Sequence, residues 1–179
     1  MKMFISGGCK NGKSTYAQRI AKKQCRYTNP LYYIATMSAT DDEDSQRIKN
    51  HQQEREGWGF ITVEQPKSIE DILYKCDCDG SFLLDSLTAL LANEMFGASG
   101  KLDNNACDRI ATGLLHILDK IEDIVIVSDY IYSDADLFDP LTEMYRKSLA
   151  TLDKIAAQHC DIVLEAAYTQ IITHKGKML

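Results

Sequence analysis

The chain has 179 residues, the length of one ordinary domain, and is read as a single domain over residues 1–179. Apolar residues make up 45% and charged residues 26%, with 10 glycines and 3 prolines, which excludes a disordered or collagen-like chain. The net charge of −6 has the wrong sign for a broad nucleic-acid-binding face, and no apolar run approaches the ~20 residues of a membrane span.

The start, Met1-Lys2-Met3-Phe4-Ile5-Ser6, lacks the long apolar core of a signal peptide, so the expected location is cytoplasmic. Lys2–Ser6 predicts a strand that ends at Gly7-Gly8, and the apolar face of Tyr16, Ile20 and Ala21 predicts a helix from Lys13 to about Cys25. Leu31–Ala35 and Phe60–Val63 predict two more strands, and Asp42–Glu54 and Ser68–Cys76 two helices. Ser81–Leu84 and Ile124–Val127 are continuous apolar runs, the pattern of parallel strands buried on both faces. Between them lie predicted helices at Leu87–Phe96 and Asn105–Ile121, joined by a loop over Gly97–Asn105. In the second helix Ile110, Leu114, Ile117 and Ile121 form one stripe. A helix over Asp139–Gln158 and strands at Asp161–Leu164 and Tyr168–Thr173 complete the pattern. Strands alternating with helices predict an α/β fold with a mostly parallel sheet covered by helices on both faces.

The predicted helix from Asp42 to Glu54 stands apart, because Ile48 is its only large apolar residue. With no stripe to bury, it is either a solvated helix held by pairs such as Glu43 and Arg47 or a helix laid over a polar ligand. The six cysteines, Cys9, Cys25, Cys76, Cys78, Cys107 and Cys160, form no Cys-x-x-Cys pair or regular framework, so free thiols are expected. A zinc site from Cys76, Cys78, His159 and Cys160 would need unusual ligand spacing.

Gly7-Gly8-Cys9-Lys10-Asn11-Gly12-Lys13-Ser14 fits G-x-x-x-x-G-K-[ST], the phosphate-binding P-loop pattern. Its glycines let backbone N–H groups turn inward on phosphate oxygens, and the helix that follows presents its positive end. Lys13 can neutralise the outer phosphates, and the Ser14 hydroxyl can hold Mg²⁺. A strand precedes the motif and a helix follows it, which predicts a P-loop NTPase fold. A second metal carboxylate should end a buried strand, and Asp85 and Asp129 both qualify, Asp85 with the better pattern.

A longer series narrows the reading: Leu31–Thr36, then Asp41-Asp42-Glu43, Arg47-Ile48, His51, Arg55, Trp58, Thr62-Val63-Glu64 and Pro66. With the P-loop, and with Leu83-Leu84-Asp85-Ser86-Leu87-Thr88 and Asn93, it resembles the adenosylcobinamide kinase / adenosylcobinamide-phosphate guanylyltransferase family of cobalamin biosynthesis. The resemblance covers residues 3 to about 96, with Asn11 where the family has Ser. It implies a bifunctional enzyme that phosphorylates adenosylcobinamide with ATP or GTP and then transfers GMP from GTP through a guanylyl-histidine.

By the same resemblance the nucleophile is His51. Nucleotide contacts fall on Gly7, Gly8, Cys9, Lys10, Asn11, Gly12, Lys13 and Ser14, on Thr36, Met37 and Ser38, on Gln52, Gln53, Glu54 and Arg55, and on Glu64 and Asp85. Mg²⁺ on Ser14 and Asp85, a corrinoid substrate and a homotrimer are implied as well. A neutral imidazole, with a pKa near 6.5, is a competent nucleophile around pH 7. Further on the chain departs from the family: Asp129-Tyr130-Ile131-Tyr132 stands for Asn-Glu-Val-Gly, and Tyr145-Arg146-Lys147 for Phe-Arg-Asp. Ala150 and Asp153-Lys154 replace a Gly and an Asn-Gln. Two rival readings are a P-loop kinase of another small metabolite with His51 idle, and a nucleotide-binding protein without catalysis.

Overall fold

The two continuous apolar runs become inner strands of one seven-stranded sheet. The computed structural model describes residues 1–26, 28–38, 55–97 and 102–177. The strands are β1 (Lys2–Gly7), β2 (Leu31–Ala35), β3 (Phe60–Glu64), β4 (Ser81–Asp85), β5 (Asp123–Asp129), β6 (Ile162–Ala167) and β7 (Gln170–Lys175), in the order β3-β2-β4-β5-β1-β6-β7. All neighbours pair in parallel except β6 and β7. Parallel pairing brings the carboxyl ends together on one edge: Gly7 lies opposite Asp129, and Ala35 opposite both Asp85 and Glu64.

Side-chain alternation divides the core in two. Met3, Ile5, Leu83, Val125, Val127 and Leu164 face α1 (Lys13–Gln24), which contributes Ala17, Ile20 and Ala21. Phe4, Ile34, Phe82, Leu84, Ile124 and Ile126 face the opposite layer, made of α3 (Leu87–Phe96), α4 (Ala106–Lys120) and α5 (Pro140–His159), with the short α2 (Ile72–Lys75) beside them. The expected α/β architecture with helices on both faces is therefore what the chain adopts. The stripe Ile110, Leu114, Ile117 and Ile121 is buried as its spacing requires. All six cysteines carry free thiols.

Two elements differ from the sequence expectation. Ser68–Cys76 is not one helix: Ser68 takes φ 50°, Ile69–Asp71 forms a 3₁₀ turn, and only Ile72–Lys75 is α-helical. Ile69 and Ile72, three apart, both reach the core, and a 3₁₀ turn places such residues on one side. The last strand begins at Gln170 rather than Tyr168, because Tyr168 and Thr169 take φ 50° and 63° and form a two-residue hairpin turn between Ala167 and Gln170. Left-handed backbone at residues other than glycine costs roughly 1–2 kcal/mol each. The predicted helix over Asp42–Glu54 and residues 98–101 of the predicted loop lie outside the described residues.

Leu149 of α5 is fully buried between α4 and the sheet. Truncation there leaves a cavity that the packed layers cannot close, so Leu149→Ala is expected to lose about 2–5 kcal/mol. Urea unfolding followed by circular dichroism should show a lower midpoint with an unchanged slope.

Candidate nucleotide site

The loop Gly7–Ser14 leaves the middle of the carboxyl edge of the sheet and enters α1. Gly7 abuts β6 so closely that a Cβ there would lie 2.5 Å from the Ala166 carbonyl oxygen. Gly12 turns the chain at φ 83°, where only glycine is unstrained, and Lys10 also takes a positive φ. Asn11 replaces a backbone turn with side-chain bonds: its amide nitrogen donates to the Ala166 carbonyl, and its Oδ1 accepts from Lys13 N–H at 3.3 Å. The start of α1 has no acidic residue in its first turn and no side-chain cap from Gly12. Apart from that of Lys13, its first amides are left to an anion, as at other helix N-termini that bind phosphate.

Lys13 is 6% exposed, and its ammonium donates to the Gly8 carbonyl at 3.1 Å and pairs with the Asp129 carboxylate. Asp129 in turn is fixed by its own N–H, which donates to Thr88 Oγ1 at 2.8 Å, while the Tyr145 hydroxyl holds the Thr88 carbonyl at 2.9 Å. A buried ammonium held by one carboxylate and one carbonyl can exchange both for phosphate oxygens, which are stronger charge-assisted acceptors. Ser14 stands half-buried one residue further on.

Asp85 ends β4, two strands from β1, and its Oδ2 accepts from the Tyr33 hydroxyl at 2.8 Å. The Arg55 guanidinium lies 3.5 Å over the Tyr33 ring, is 6% exposed, and has a buried Nη1 without a hydrogen-bond partner among the described residues. Arg55 and Asp85 are thereby joined through Tyr33, which the sequence reading missed. The available signal was a tyrosine in a buried strand, whose hydroxyl must find a partner. The donor set at the loop fits magnesium rather than zinc: one hydroxyl and one or two carboxylates, all oxygen, with the remaining positions left to phosphates and water. No cluster of three or more His, Cys, Asp or Glu side chains suited to a metal occurs among the described residues.

The other expected nucleotide contacts fall elsewhere on the same edge. Thr36 is fully buried, and its hydroxyl accepts from Ser86 N–H at 2.6 Å and donates to the Ser86 carbonyl at 2.8 Å. Its carbonyl accepts from Asn93 Nδ2 at 2.6 Å, so Thr36 joins β2 to α3. Met37 and Ser38 follow it, half-buried. Glu64 is exposed at the end of the edge strand β3, four strand positions from β1. At ~4.8 Å per strand that is roughly 19 Å from the loop. The structure thus forms two groups, one around Lys13 and Asp129 and one around Arg55, Tyr33 and Asp85, while Thr36 is tied to α3 and Glu64 stands at the edge of the sheet. His51, Gln52, Gln53 and Glu54 lie outside the described residues.

A glycine loop between a central strand and the first helix, closing on a buried lysine, defines a P-loop NTPase fold. Solved structures agree at the level of fold: one ATPase domain has a TM-score of 0.54 and 13% identity, over 97% of this chain and 76% of that one. A KaiC-like protein, PH0186 from Pyrococcus horikoshii OT3, has a TM-score of 0.52 and 12% identity, over 98% and 79%. Residues 3–169 match the cobinamide kinase / cobinamide phosphate guanyltransferase family, and the chain belongs to it. The bifunctional adenosylcobalamin biosynthesis protein CobU of Escherichia coli K12 is 29% identical over 110 residues, which are 60% of this chain and 58% of that protein. The match therefore spans less than two thirds of that relative. The bifunctional protein CobP of Pseudomonas aeruginosa PAO1 is 28% identical over 165 residues, 91% of each chain.

Around the positions where the sequence departs from the family pattern, side chains hold the segment between β5 and α5. Arg146 is buried, with Nε donating to the Ile131 carbonyl at 3.0 Å, Nη2 to Asp134 Oδ1 at 2.6 Å, and Nη1 to Glu143; its guanidinium lies 4.5 Å over the Phe138 ring. The Tyr132 hydroxyl donates to Asp153 Oδ2 at 2.7 Å. Burial pushes the Asp153 carboxyl up to about 6, helped by the nearby Asp129 charge and opposed by the Ser128 and Tyr132 hydroxyls.

From about pH 4 to 6 the folded protein therefore keeps a proton on Asp153 that the unfolded chain has lost, and the stability this contributes disappears as pH rises through that window. A shift of this size corresponds to about 3 kcal/mol. The stability of the wild type relative to Asp153→Asn should fall by that order between pH 4 and 6 and level off above; denaturant titrations across pH measure it, and a flat difference would assign Asp153 an ordinary pKa.

Proposed function

We propose that this chain phosphorylates a cobinamide hydroxyl with ATP or GTP and then transfers GMP from GTP to the phosphate so formed. The observation that supports this most is an intact P-loop, with Lys13 buried against Asp129, in a chain that belongs to this family over residues 3–169. The acid-rich surface is no obstacle, because the anion is held locally by loop amides and one ammonium.

In the first reaction the triphosphate lies along Gly8–Ser14, and Lys13 turns from Asp129 and Gly8 to the outer phosphates. Ser14 and Asp85 would hold Mg²⁺, which when bound would supply charge neutralisation at the phosphate oxygens. The substrate hydroxyl oxygen attacks the γ-phosphorus, the bond to the β–γ bridging oxygen breaks, and the nucleoside diphosphate leaves. Asp129, released by Lys13, takes the hydroxyl proton. Asp129 then has a role distinct from that of Asp85, which Tyr33 keeps oriented.

In the second reaction the His51 imidazole attacks the α-phosphorus of GTP and pyrophosphate leaves. A phosphate oxygen of the cobinamide phosphate then displaces the imidazole, and the P–N bond breaks as the pyrophosphate linkage forms. Gln52, Gln53, Glu54, Arg55, Met37, Ser38 and Glu64 are assigned to this half of the chemistry. The Arg55 guanidinium, with a buried nitrogen free of hydrogen bonds among the described residues, is suited to a phosphate oxygen. Both reactions take place in the cytoplasm, and a homotrimer is the proposed assembly.

Lys13→Ala should lower phosphorylation of adenosylcobinamide by at least 100-fold in an assay with γ-labelled ATP; full activity would overturn the loop assignment. GTP labelled at the α-phosphate should leave an acid-labile label on the denatured wild type and on His116→Ala, and none on His51→Ala. A label surviving in His51→Ala would remove His51 as the nucleophile.

A further inference from the structure

We infer that Tyr168, at the tip of the β6–β7 hairpin, is the platform on which the base of the nucleotide stacks; the inference rests on the P-loop reading above. Asp85 and Asp129 both lie on one side of β1, at the ends of β4 and β5. They mark the side toward which the reactive end of the triphosphate points, since the metal and the transferred phosphate need those carboxylates. The nucleoside end must then leave the loop on the other side of β1, where β6 and its hairpin stand.

The hairpin is fitted to the loop. Ala166 contacts both Gly7 and Asn11, and the tip continues two residues beyond it. At about 3.3 Å per residue, Tyr168 stands roughly 7 Å past the level of the glycines, comparable to the length of a ribose and its α-phosphate. Tyr168 is 95% exposed, so its ring is open to a ligand. The two-residue turn favours Asn-Gly, because both positions need positive φ, yet this chain has Tyr168-Thr169 there at φ 50° and 63°. A ring held at a strained turn position is the pattern of a functional side chain.

The surroundings supply a second wall. Tyr130 begins the segment after β5, with its N–H donating to the Gly7 carbonyl at 3.2 Å. Burial, the Glu165 carboxylate and, less, Tyr168 push its phenol pKa up, against a lowering by the Gly8 N–H. Glu165 is also paired with His174 across the hairpin at 2.7 Å. Two tyrosines thus flank the exit of the loop. Stacking on an aromatic face tolerates any base, which suits a site that takes both ATP and GTP.

The test compares Mg·GTP, Mg·ATP and tripolyphosphate binding to the full chain by calorimetry. Tyr168→Gly relieves the turn, so it should raise the melting temperature while weakening GTP and ATP about 10-fold and leaving tripolyphosphate unchanged. Tyr168→Phe should bind all three within twofold of the wild type. Unchanged nucleotide affinity in Tyr168→Gly overturns the platform, as does an equal loss for tripolyphosphate, which would make the hairpin a support of the loop. A wild type that binds no tripolyphosphate overturns the phosphate-loop reading itself and this inference with it.

Discussion

The glycine loop after β1 has no hydrophobic core of its own, and it keeps its shape because it is tied on both sides. Lys13 binds it to Asp129 on β5, and Asn11 binds it to Ala166 on β6. Both ties depend on β1 lying between β5 and β6, with Gly7 in register with Asp129 and Ala166. A parallel sheet is the arrangement that delivers three adjacent strand ends to one edge. The core layers on either face hold that register, since a slip by one residue would exchange the side chains facing α1 with those facing α3–α5.

Much of this was legible from residue patterns. The runs Ser81–Leu84 and Ile124–Val127 carry the pattern of strands covered on both faces, and they became β4 and β5. The loop motif declared itself through glycines whose purpose is backbone freedom, and the sheet places it where such a motif works. Less legible were features that arise from contacts distant in sequence. Nothing local to Tyr33 says that its hydroxyl will orient Asp85, 52 residues away. Thr36, read as a nucleotide contact, turned out to lock β2 to the start of α3. The turn at Tyr168-Thr169 was hidden because both residues favour strands, and the hairpin overrode that preference.

The site residues divide along the carboxyl edge rather than forming one pocket. The group at Arg55 is a chain of contacts: the Arg55 guanidinium on the Tyr33 ring, and the Tyr33 hydroxyl on Asp85. Two departures from the family pattern, Asp129 and Tyr145, fall at the Lys13 group itself. Two more, Tyr132 and Asp153, join the retained Arg146 in fastening the segment between β5 and α5 from within.

The far end of the β6–β7 hairpin is fastened as well. The Lys175 ammonium donates to the carbonyls of Ala157, Gln158 and Cys160 at 3.2, 2.9 and 2.7 Å, closing the carboxyl terminus of α5. The hairpin is therefore a cantilever: clamped at its root by a helix end, it leaves its outermost residues as the only part with room to deflect. Any sideways swing at the crest must bend two paired strands, so whatever rests there meets a stiff shelf, and the loop beneath inherits that stiffness through Ala166.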